Sequence, residues 1–352
     1  MEEEANLILG KGAYGEVFLR NGNAVKQFDG LRHLIQEYVA LKYLSDCEYI
    51  VKIKDINLNN LQIEMELYDC NLKNWLKKNK KNNYDESKKR IIHNILSGLI
   101  ELHDRGLCHG DLKPGNILIR NEPLKAVLGD CGFVSISKYT KTHLTTKNYR
   151  DPVYERSSAH DMFSFGICLY ELVTNKRIFM KNSYQEYKRY IKRKKNVIDP
   201  FYYKIISSLL GEDKSKRPTS RDVLFEIFNE NPNNKISPNI NKHDNRFSKC
   251  ETESIRDIIK VVAYQNEINR SNQGYVATLN FLNESNVLQD LHIVYSLVTL
   301  MILSSLFGKS GFGDEKCFNL CCANKKISHK VFYNIINELL SNTDYISILL
   351  SK

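Results

Sequence analysis

Three glycines near the start of the chain have a spacing that suits contact with phosphate groups. Residues 10–17 read GKGAYGEV and join two predicted strands. Because glycine has no Cβ, the backbone at these positions can turn tightly and approach a phosphate closely. A dinucleotide-binding fold would need a helix directly after the glycines, whereas a strand follows here. Taken alone, the pattern is equally consistent with a plain hairpin turn. The predicted phosphate-binding loop consists of Gly10, Lys11, Gly12, Ala13, Tyr14, Gly15 and Val17.

A lysine and a glutamate on the next two predicted elements favour the nucleotide interpretation. Lys26 follows Ala24 and Val25 in the next strand, where its ammonium group can meet the α and β phosphates. Glu37 lies in a helix that we predict over 31–44 from apolar residues at 31, 34, 35, 38, 41 and 44. A Lys–Glu ion pair at this place fixes the lysine for phosphate binding. By itself Glu37 would more often be a surface residue, but this order of elements predicts a functional one.

The end of a later predicted strand offers a site for the adenine base. Met65, Glu66 and Tyr68 lie in the segment MELY. An extended backbone here presents carbonyl and amide groups to an adenine edge, and Met65 would form the back wall of the pocket. Because these are mainly backbone roles, the side chains give modest support.

The segment HGDLKPGN at 109–116 is the most specific in the chain. It resembles the HRDLKPxN catalytic loop of eukaryotic-type protein kinases, and Asp130-Cys131-Gly132 resembles their DFG triplet. The resemblance covers about residues 5–230, with the motifs in the expected order. It implies an α+β, bilobal protein kinase fold, with a small β-rich lobe holding one helix and a larger helical lobe. It also implies a serine/threonine protein kinase that uses ATP and Mg²⁺ and acts on protein substrates.

The resemblance assigns roles to individual residues. Asp111 is expected to accept or orient the proton of the substrate hydroxyl. Asn116 and Asp130 are hard oxygen ligands that suit Mg²⁺. Lys113, two residues after the aspartate as is typical of serine/threonine kinases, can reach the γ-phosphate. Thr146 matches the threonine that bonds the catalytic aspartate and lysine.

Several residues depart from the family pattern, and one is expected to anchor the catalytic loop. Gly110 replaces the arginine that normally pairs with a phosphorylated activation loop, so activation by loop phosphorylation is not expected. Cys131 replaces the phenylalanine of DFG. Val153 stands where a glutamate is usual, and we expect Glu155 to pair with Arg217 in its place. Asp161 matches a buried aspartate that anchors the catalytic loop.

The remaining sequence predicts the elements that position these residues. Strands are predicted at 7–9, 16–19, 24–28, 50–57 and 61–67, and helices at 72–80, 86–104, 160–174, 183–193, 201–210 and 220–229, with a loop-rich stretch over 105–155. The kinase domain is predicted at 1–230, divided into lobes at 1–67 and 68–230. An asparagine-rich linker follows at 231–247, and an all-α domain at 248–352.

The C-terminal region leaves three interpretations open. Residues 275–308 faintly resemble a cyclin box, and Thr146, Tyr149 and Arg150 match a stretch of the cyclin-dependent kinases. A cyclin-like activator, fused to the kinase lobe and contacting it, would hold Glu37 inward. The alternatives are an unrelated helical regulatory or docking domain and a membrane anchor. Residues 291–308 lack charges over 18 positions, but their polar residues favour a buried helix, so we do not expect a membrane protein.

Composition limits the partners and the compartment. The net charge of +10 favours acidic partners, and the basic runs at 77–81, 88–90 and 188–195 are interpreted as solvated helix faces. Aromatic residues do not interleave with them as nucleic-acid binding requires, so no nucleic acid is expected. Nine scattered cysteines without a signal peptide favour a reducing cytoplasmic or nuclear location. Abundant Lys, Asn and Ile indicate an AT-rich genome, such as that of a virus acting in a host cell or of a protist. Cys317, Cys321, Cys322 and His329 are interpreted as buried helix residues rather than a metal site.

Two other functions share this pattern. One is a kinase-fold scaffold with little activity, which the intact catalytic residues disfavour. The other is a small-molecule phosphotransferase, which would generally lack the stretch at 145–152 and the KRPT segment at 216–219.

Overall fold

The chain forms two lobes in a computed structural model that describes residues 7–12, 14–57, 60–80, 86–136, 146–153, 157–179 and 183–230. Within these ranges, a five-stranded sheet with one helix precedes a larger helical lobe. The predicted α+β, bilobal architecture is therefore confirmed. The predicted linker at 231–247 and the all-α domain at 248–352 lie outside the described residues.

The small lobe is an antiparallel sheet with one helix packed against it. Its strands are β1 (Leu7–Gly12), β2 (Gly15–Arg20), β3 (Asn23–Phe28), β4 (Ile53–Asn57) and β5 (Gln62–Met65), in the order β1-β2-β3-β5-β4. Asn21 and Gly22 join β2 to β3 with φ values of 50° and 74°, as a tight two-residue hairpin requires. Helix α1 (Leu31–Tyr43) contacts this sheet and also Cys131–Phe133 of the large lobe.

The large lobe is built around one helix that is buried on all sides. Its helices are α2 (Leu72–Lys78), α3 (Glu86–His103), α4 (Ser158–Thr174), α5 (Tyr184–Arg193), α6 (Pro200–Leu209) and α7 (Ser220–Phe228). Residues 160–172 of α4 are all buried, as expected for a central helix. A Cβ at Gly166 would lie 2.8 Å from the Cβ of Leu209, so α4 and α6 can approach this closely only with glycine there.

The stretch at 105–155, predicted to be loop-rich, also contains four short strands that were not predicted. They are β7 (Leu107–Cys108), β8 (Ile117–Asn121), β9 (Leu124–Leu128) and β10 (Ser135–Ile136). β8 and β9 form a hairpin that continues a sheet with β6 (Cys70–Asn71), and β10 pairs with β7. Their apolar runs are too short for periodicity to separate them from loops. The backbone amide of Val51 donates to Leu128 O at 2.9 Å and ties β9 to the small lobe.

One lysine of the predicted solvated runs is buried. Lys88 is only 1% exposed, whereas its neighbour Lys89 lies at the surface and pairs with Glu86 at 2.6 Å. Lys88 precedes Ile91, Ile92 and Ile95 by three, four and seven residues, and therefore lies on the face of α3 that packs into the lobe. The interpretation of 88–90 as a solvated face is wrong for Lys88.

The described residues also bear on membrane insertion and metal binding. No described helix combines the length and the hydrophobicity of a bilayer span. The same ranges hold no group of three or more His, Cys, Asp or Glu side chains arranged to bind a metal ion. The uncharged segment at 291–308 and the group around Cys317 lie outside them.

Candidate active site

A lysine and two carboxylates meet between the lobes. Lys26 Nζ, on β3, lies 2.5 Å from Glu37 Oε2 on α1 and 2.8 Å from Asp130 Oδ1 after β9. Lys26 is 8% exposed and Glu37 is 2% exposed. One ammonium group thus joins the sheet, the helix of the small lobe and the large lobe, and its contact with Asp130 spans 104 residues of sequence.

The charges of this triad are unequal because one cation serves two anions. Burial favours the neutral amine of Lys26, but the charges of Glu37 and Asp130 raise its pKa above the ordinary value. Burial raises the pKa of Glu37 to about 7, and Asp130 adds to the rise while Lys26 opposes it. Burial also acts to raise the pKa of Asp130, but the charge and hydrogen bond of Lys26 outweigh it and lower that pKa. Asp130 is therefore the more firmly ionised of the two carboxylates.

The backbone around Asp130 brings it next to Asn116. Asp130 has left-handed backbone angles, with φ 57° and ψ 61°, which aspartate tolerates better than most residues. The amide of the preceding Gly129 donates to Asn116 O at 2.8 Å. A Cβ at Gly129 would lie 2.9 Å from Leu118 Cδ1, so the chain can pass here only with glycine or with a shift of that side chain.

The side chains of the predicted catalytic loop converge on Asp111. Lys113 Nζ donates to Asp111 Oδ2 at 2.5 Å and to Thr146 Oγ1 at 2.7 Å. The amide of Thr146 donates to Asp111 Oδ1 at 2.9 Å, and Asn116 Nδ2 donates to Asp111 Oδ2 at 3.2 Å. Asp111 is almost buried. These contacts fix the direction of its carboxylate, as a group that must meet a substrate proton requires.

The loop is anchored from beneath by a fully buried aspartate, as predicted. Asp161 Oδ2 and Oδ1 accept from the backbone amides of His109 and Gly110 at 2.7 and 2.9 Å. His103 Nε2 also lies 3.1 Å from Asp161 Oδ2. The His109 ring bridges Gly129 O and the amide of Asp111, an arrangement that suits the tautomer with its proton on Nε2.

The predicted phosphate loop spans the end of β1, the turn after it and the start of β2. Gly15 has φ 146°, and a Cβ there would collide with Gln27 O at 1.8 Å, so this position requires glycine. Val17 pairs with Lys26 across the sheet, which sets the loop directly above the triad. The side chain of Lys11 is exposed and pairs with Glu16 at 2.5 Å, so only its backbone belongs to the loop. Gly10 and Gly12 lie in β1, Tyr14 lies in the turn that follows, and Ala13 lies outside the described residues.

The predicted adenine segment connects the lobes. Ala24 pairs with Met65, and both lie on the sheet beside Lys26. The amide of Glu66 donates to Lys52 O at 2.9 Å, and the amide of Asp69 donates to Ile119 O at 3.0 Å, so Tyr68 is held between two fixed points. The Glu66 side chain turns away to Arg120, at 2.5 Å, and accepts from the Tyr68 hydroxyl.

Comparison with known proteins identifies the family. The model of the protein kinase domain matches residues 4–238. The chain belongs to the protein kinase family. It is 28% identical over 204 residues to mitogen-activated protein kinase 4 of Arabidopsis thaliana, covering 50% of this chain and 54% of the relative. It is 26% identical over 208 residues to cyclin-dependent kinase B2-1 of Oryza sativa subsp. japonica, covering 50% and 64%. It is 31% identical over 210 residues to the protein named "Probable serine/threonine-protein kinase PLK" of Dictyostelium discoideum, covering 54% and 21%. The chain therefore spans less than two thirds of each of these relatives.

The residues of this kinase fit the ATP and Mg²⁺ that the family uses in general. Asn116 Oδ1 and Asp130 Oδ2 accept no hydrogen bond from the described residues, which leaves two hard oxygens for a magnesium ion. Lys26 supplies a fixed ammonium group beside them. The donor set of the site therefore suits a magnesium–nucleotide complex.

Arg217 of this kinase forms a buried ion pair with an acid that the sequence analysis did not predict. Arg217 Nη1 lies 2.8 Å from Asp151 Oδ2, and both side chains are fully buried. The Tyr184 hydroxyl donates to Asp151 Oδ1, and Arg217 also donates to Ala159 O at 2.6 Å. Val153, at the usual glutamate position, is 59% exposed. The expected partner Glu155 lies outside the described residues, and the acid observed beside Arg217 is Asp151.

Other contributors to the site were not predicted from the sequence. His103 and Tyr184 act on the site through aspartates, and their signals were only a polar residue at a helix end and a tyrosine opening an amphipathic helix. Arg120 lies in β8, a strand that was itself not predicted. Asp151 had a visible signal, because it lies inside the YRDP segment that was aligned with the family.

Proposed function

We propose that the protein is a serine/threonine protein kinase that transfers the γ-phosphate of ATP to hydroxyl groups of protein substrates. One observation carries this proposal, the convergence of two groups of side chains. Lys26, Glu37 and Asp130 meet on one side of the site, and Asp111, Lys113 and Asn116 meet on the other. The backbone hydrogen bond from Gly129 to Asn116 joins the two groups. The relatives named as mitogen-activated, cyclin-dependent and serine/threonine kinases support the same assignment.

Each residue then has a physical task. When bound, magnesium–ATP supplies the phosphoryl group and the divalent charge. Lys26, held by Glu37, would bind the α and β phosphates, and Asn116 and Asp130 would hold the metal. Asp111 orients the acceptor hydroxyl and takes its proton, because its carboxylate is fixed by three neighbours. Lys113 neutralises negative charge that develops beside that carboxylate.

The preference for serine and threonine is supported by the contact between Lys113 and Thr146 at 2.7 Å. This contact connects the catalytic loop to the segment at 146–153, over which a protein substrate would lie. A kinase of small amino-alcohols would not need that segment.

The proposal predicts loss of activity in Asp111→Asn. With labelled ATP, Mg²⁺ and a generic basic protein, we expect the wild type to incorporate phosphate into serine and threonine, and Asp111→Asn to lose about 10² or more in rate. Asp55→Asn, an exposed change on β4, is the matched control and should keep wild-type activity. Full activity in Asp111→Asn, or incorporation only into small amino-alcohols, would contradict the proposal.

The C-terminal region is the expected regulator of the kinase domain. We propose that 248–352 contacts the kinase domain and raises its activity, as a cyclin-like module or another helical domain. Gly110 supports this, because a kinase without the usual arginine there lacks the ordinary reader of loop phosphorylation. We also propose an intracellular location, cytoplasmic or nuclear, on the grounds of its scattered cysteines.

A further inference from the structure

A dense run of cations covers the outer face of α5 and the residues after it. The α5 basic face, as we name it, consists of Lys188, Arg189, Lys192, Arg193, Lys194 and Lys195, and all but Lys194 are exposed. The opposite face of α5 is buried in the lobe through Tyr184, Tyr187 and Ile191. The helix is therefore fixed by its apolar side, and the charges point to solvent.

Several other basic residues of the surface are paired with acids. Lys89 pairs with Glu86 at 2.6 Å, Lys204 with Glu226 at 3.0 Å, and Lys125 with Glu48 at 3.3 Å. No salt bridge among the described residues includes a member of the α5 basic face. Lys188 and Lys192, and likewise Arg189 and Arg193, are four residues apart, where like charges repel on a helix. Such uncompensated repulsion points to an anionic partner.

Hydrogen bonds connect the α5 helix to the candidate active site through the segment at 146–153. Tyr184, the first residue of α5, donates to Asp151, which lies in the segment at 146–153. At the other end of that segment, Thr146 contacts both Lys113 and Asp111. A protein whose hydroxyl lies at Asp111 can therefore extend from this segment towards α5.

We propose that the α5 basic face binds an acidic segment of the protein substrate, remote in sequence from the phosphorylated hydroxyl. This inference rests on the proposed kinase function and adds the substrate class. Charge complementarity selects aspartate and glutamate. Val197 and Phe201, which follow the basic face and are 55% and 42% exposed, add apolar contacts. The preferred segment thus combines acidic residues with one or two large apolar ones.

Two other anionic partners fit this surface less well. A membrane would require an apolar face to insert, and the apolar face of α5 is already buried in the protein. Single-stranded nucleic acid binds by stacking on open aromatic rings. Beside the α5 basic face, Lys194 Nζ lies 5.8 Å from the centroid of the Tyr190 ring and Lys195 Nζ lies 5.9 Å from that of Tyr203, so each of these half-buried rings is partly covered. Phe201 is exposed, but a single ring does not provide a platform for successive bases.

The test compares two peptide substrates with the full chain. Both carry the same acceptor serine, and one adds a flexible linker and a segment of glutamates with two leucines. The variant Lys188→Gln/Arg189→Gln/Lys192→Gln/Arg193→Gln removes four charges of the basic face. The control variant Lys89→Gln/Lys204→Gln removes two exposed lysines that are already paired. At low salt, we expect the acidic segment to lower KM about tenfold for the wild type and the control, and not for the fourfold variant.

The outcomes separate this inference from the kinase assignment. The fourfold variant should phosphorylate the short peptide with wild-type kcat and KM, and added salt should remove the gain from the acidic segment. An equal gain in the fourfold variant, or no gain in the wild type, would overturn the inference. Fluorescence anisotropy with the labelled acidic segment measures its binding without turnover, so it still decides the inference if neither peptide is phosphorylated. Tighter binding of a single-stranded RNA of equal charge, lost in the fourfold variant, would reassign the surface to nucleic acid.

Discussion

At the scale of single residues, Glu37 is the most unusual group of the site. Its Oε2 binds Lys26, but its buried Oε1 has no hydrogen-bond partner among the described residues. Burial raises its pKa to about 7 from the ordinary 4.5. Folding therefore places this carboxyl where ionisation is costly, because it is buried and because the charge of Lys26 is shared with Asp130.

This shift predicts a pH dependence of stability in the nucleotide-free protein. A carboxyl with a raised pKa binds its proton more tightly when the chain is folded. Its contribution to stability is complete below pH 4.5 and is lost as the pH rises through about 7. Between pH 5 and pH 8, we expect the wild type to lose on the order of 2 kcal/mol in the free energy of unfolding relative to Glu37→Gln. Denaturant unfolding at the two pH values measures the difference.

The control for this experiment is a glutamate on the surface. Glu86→Gln, in the exposed first turn of α3, should keep the pH dependence of the wild type. If Glu37→Gln also follows the wild type at both pH values, the carboxyl of Glu37 titrates in its ordinary range and the described charge imbalance is wrong.

At the scale of elements, the segment at 146–153 depends on one buried ion pair. Asp151 accepts from Arg217 and Tyr184, which belong to different elements of the large lobe, and its Oδ1 also accepts from the amide of Val153 at 3.1 Å. The guanidinium of Arg217 lies 5.2 Å from the centroid of the Phe163 ring of α4. Asp151 thus fixes the segment at 146–153 to both α4 and α5.

Removing that carboxylate should destabilise the large lobe strongly. Asp151→Asn leaves the charge of Arg217 buried without its anion, and we expect a loss of about 3–5 kcal/mol in the free energy of unfolding. Thermal and denaturant unfolding measure this loss. Glu226→Gln, which removes the exposed Lys204–Glu226 pair, should cost less than about 1 kcal/mol. Equal melting temperatures for Asp151→Asn and Glu226→Gln would show that Arg217 has another anionic partner.

The elements differ in how far their sequences predict them. α3, α5 and α7 were predicted within two residues at each end, because apolar residues recur at helical spacing and polar caps mark some of their limits. β8 and β9 were missed because two five-residue strands carry too few residues for a period. The order of the catalytic residues was visible as a motif. His103 and Tyr184 were not assigned, since contacts between distant elements leave little local pattern, and Asp151 was not assigned although it lies in the YRDP segment.

At the scale of the whole molecule, α1 of the small lobe is the helix through which activity can be regulated most readily, because its start is weakly capped. Ser157, Ser183, Asp199 and Thr219 each accept a backbone hydrogen bond at the start of α4, α5, α6 and α7. α1 begins after Gly30 without a side-chain cap and without an acidic residue in its first turn. The helix that carries Glu37 therefore depends more on its tertiary contacts than those helices do.

We expect residues beyond the kinase domain to supply part of that support. A chain ending at residue 238, where the family match ends, should show a lower kcat on a generic protein substrate than the full chain, because α1 holds Glu37 against Lys26 for less of the time.

Gly30→Asp should restore part of the lost kcat in the shortened chain. Residue 30 has extended backbone angles, and a Cβ there meets no atom within 4 Å. Relative to glycine, a capping aspartate stabilises a helix start by a few tenths of a kcal/mol through its hydrogen bond, and its negative charge at the helix N-terminus adds about 0.3–1 kcal/mol. Gly30→Ala is the matched control, since it adds the Cβ without an acceptor and should restore nothing. Circular dichroism first establishes that each shortened chain is folded. Equal kcat in the full and shortened chains would exclude activation by the C-terminal region, whereas a loss of kcat that Gly30→Asp leaves unchanged would mean that this region acts elsewhere than on α1.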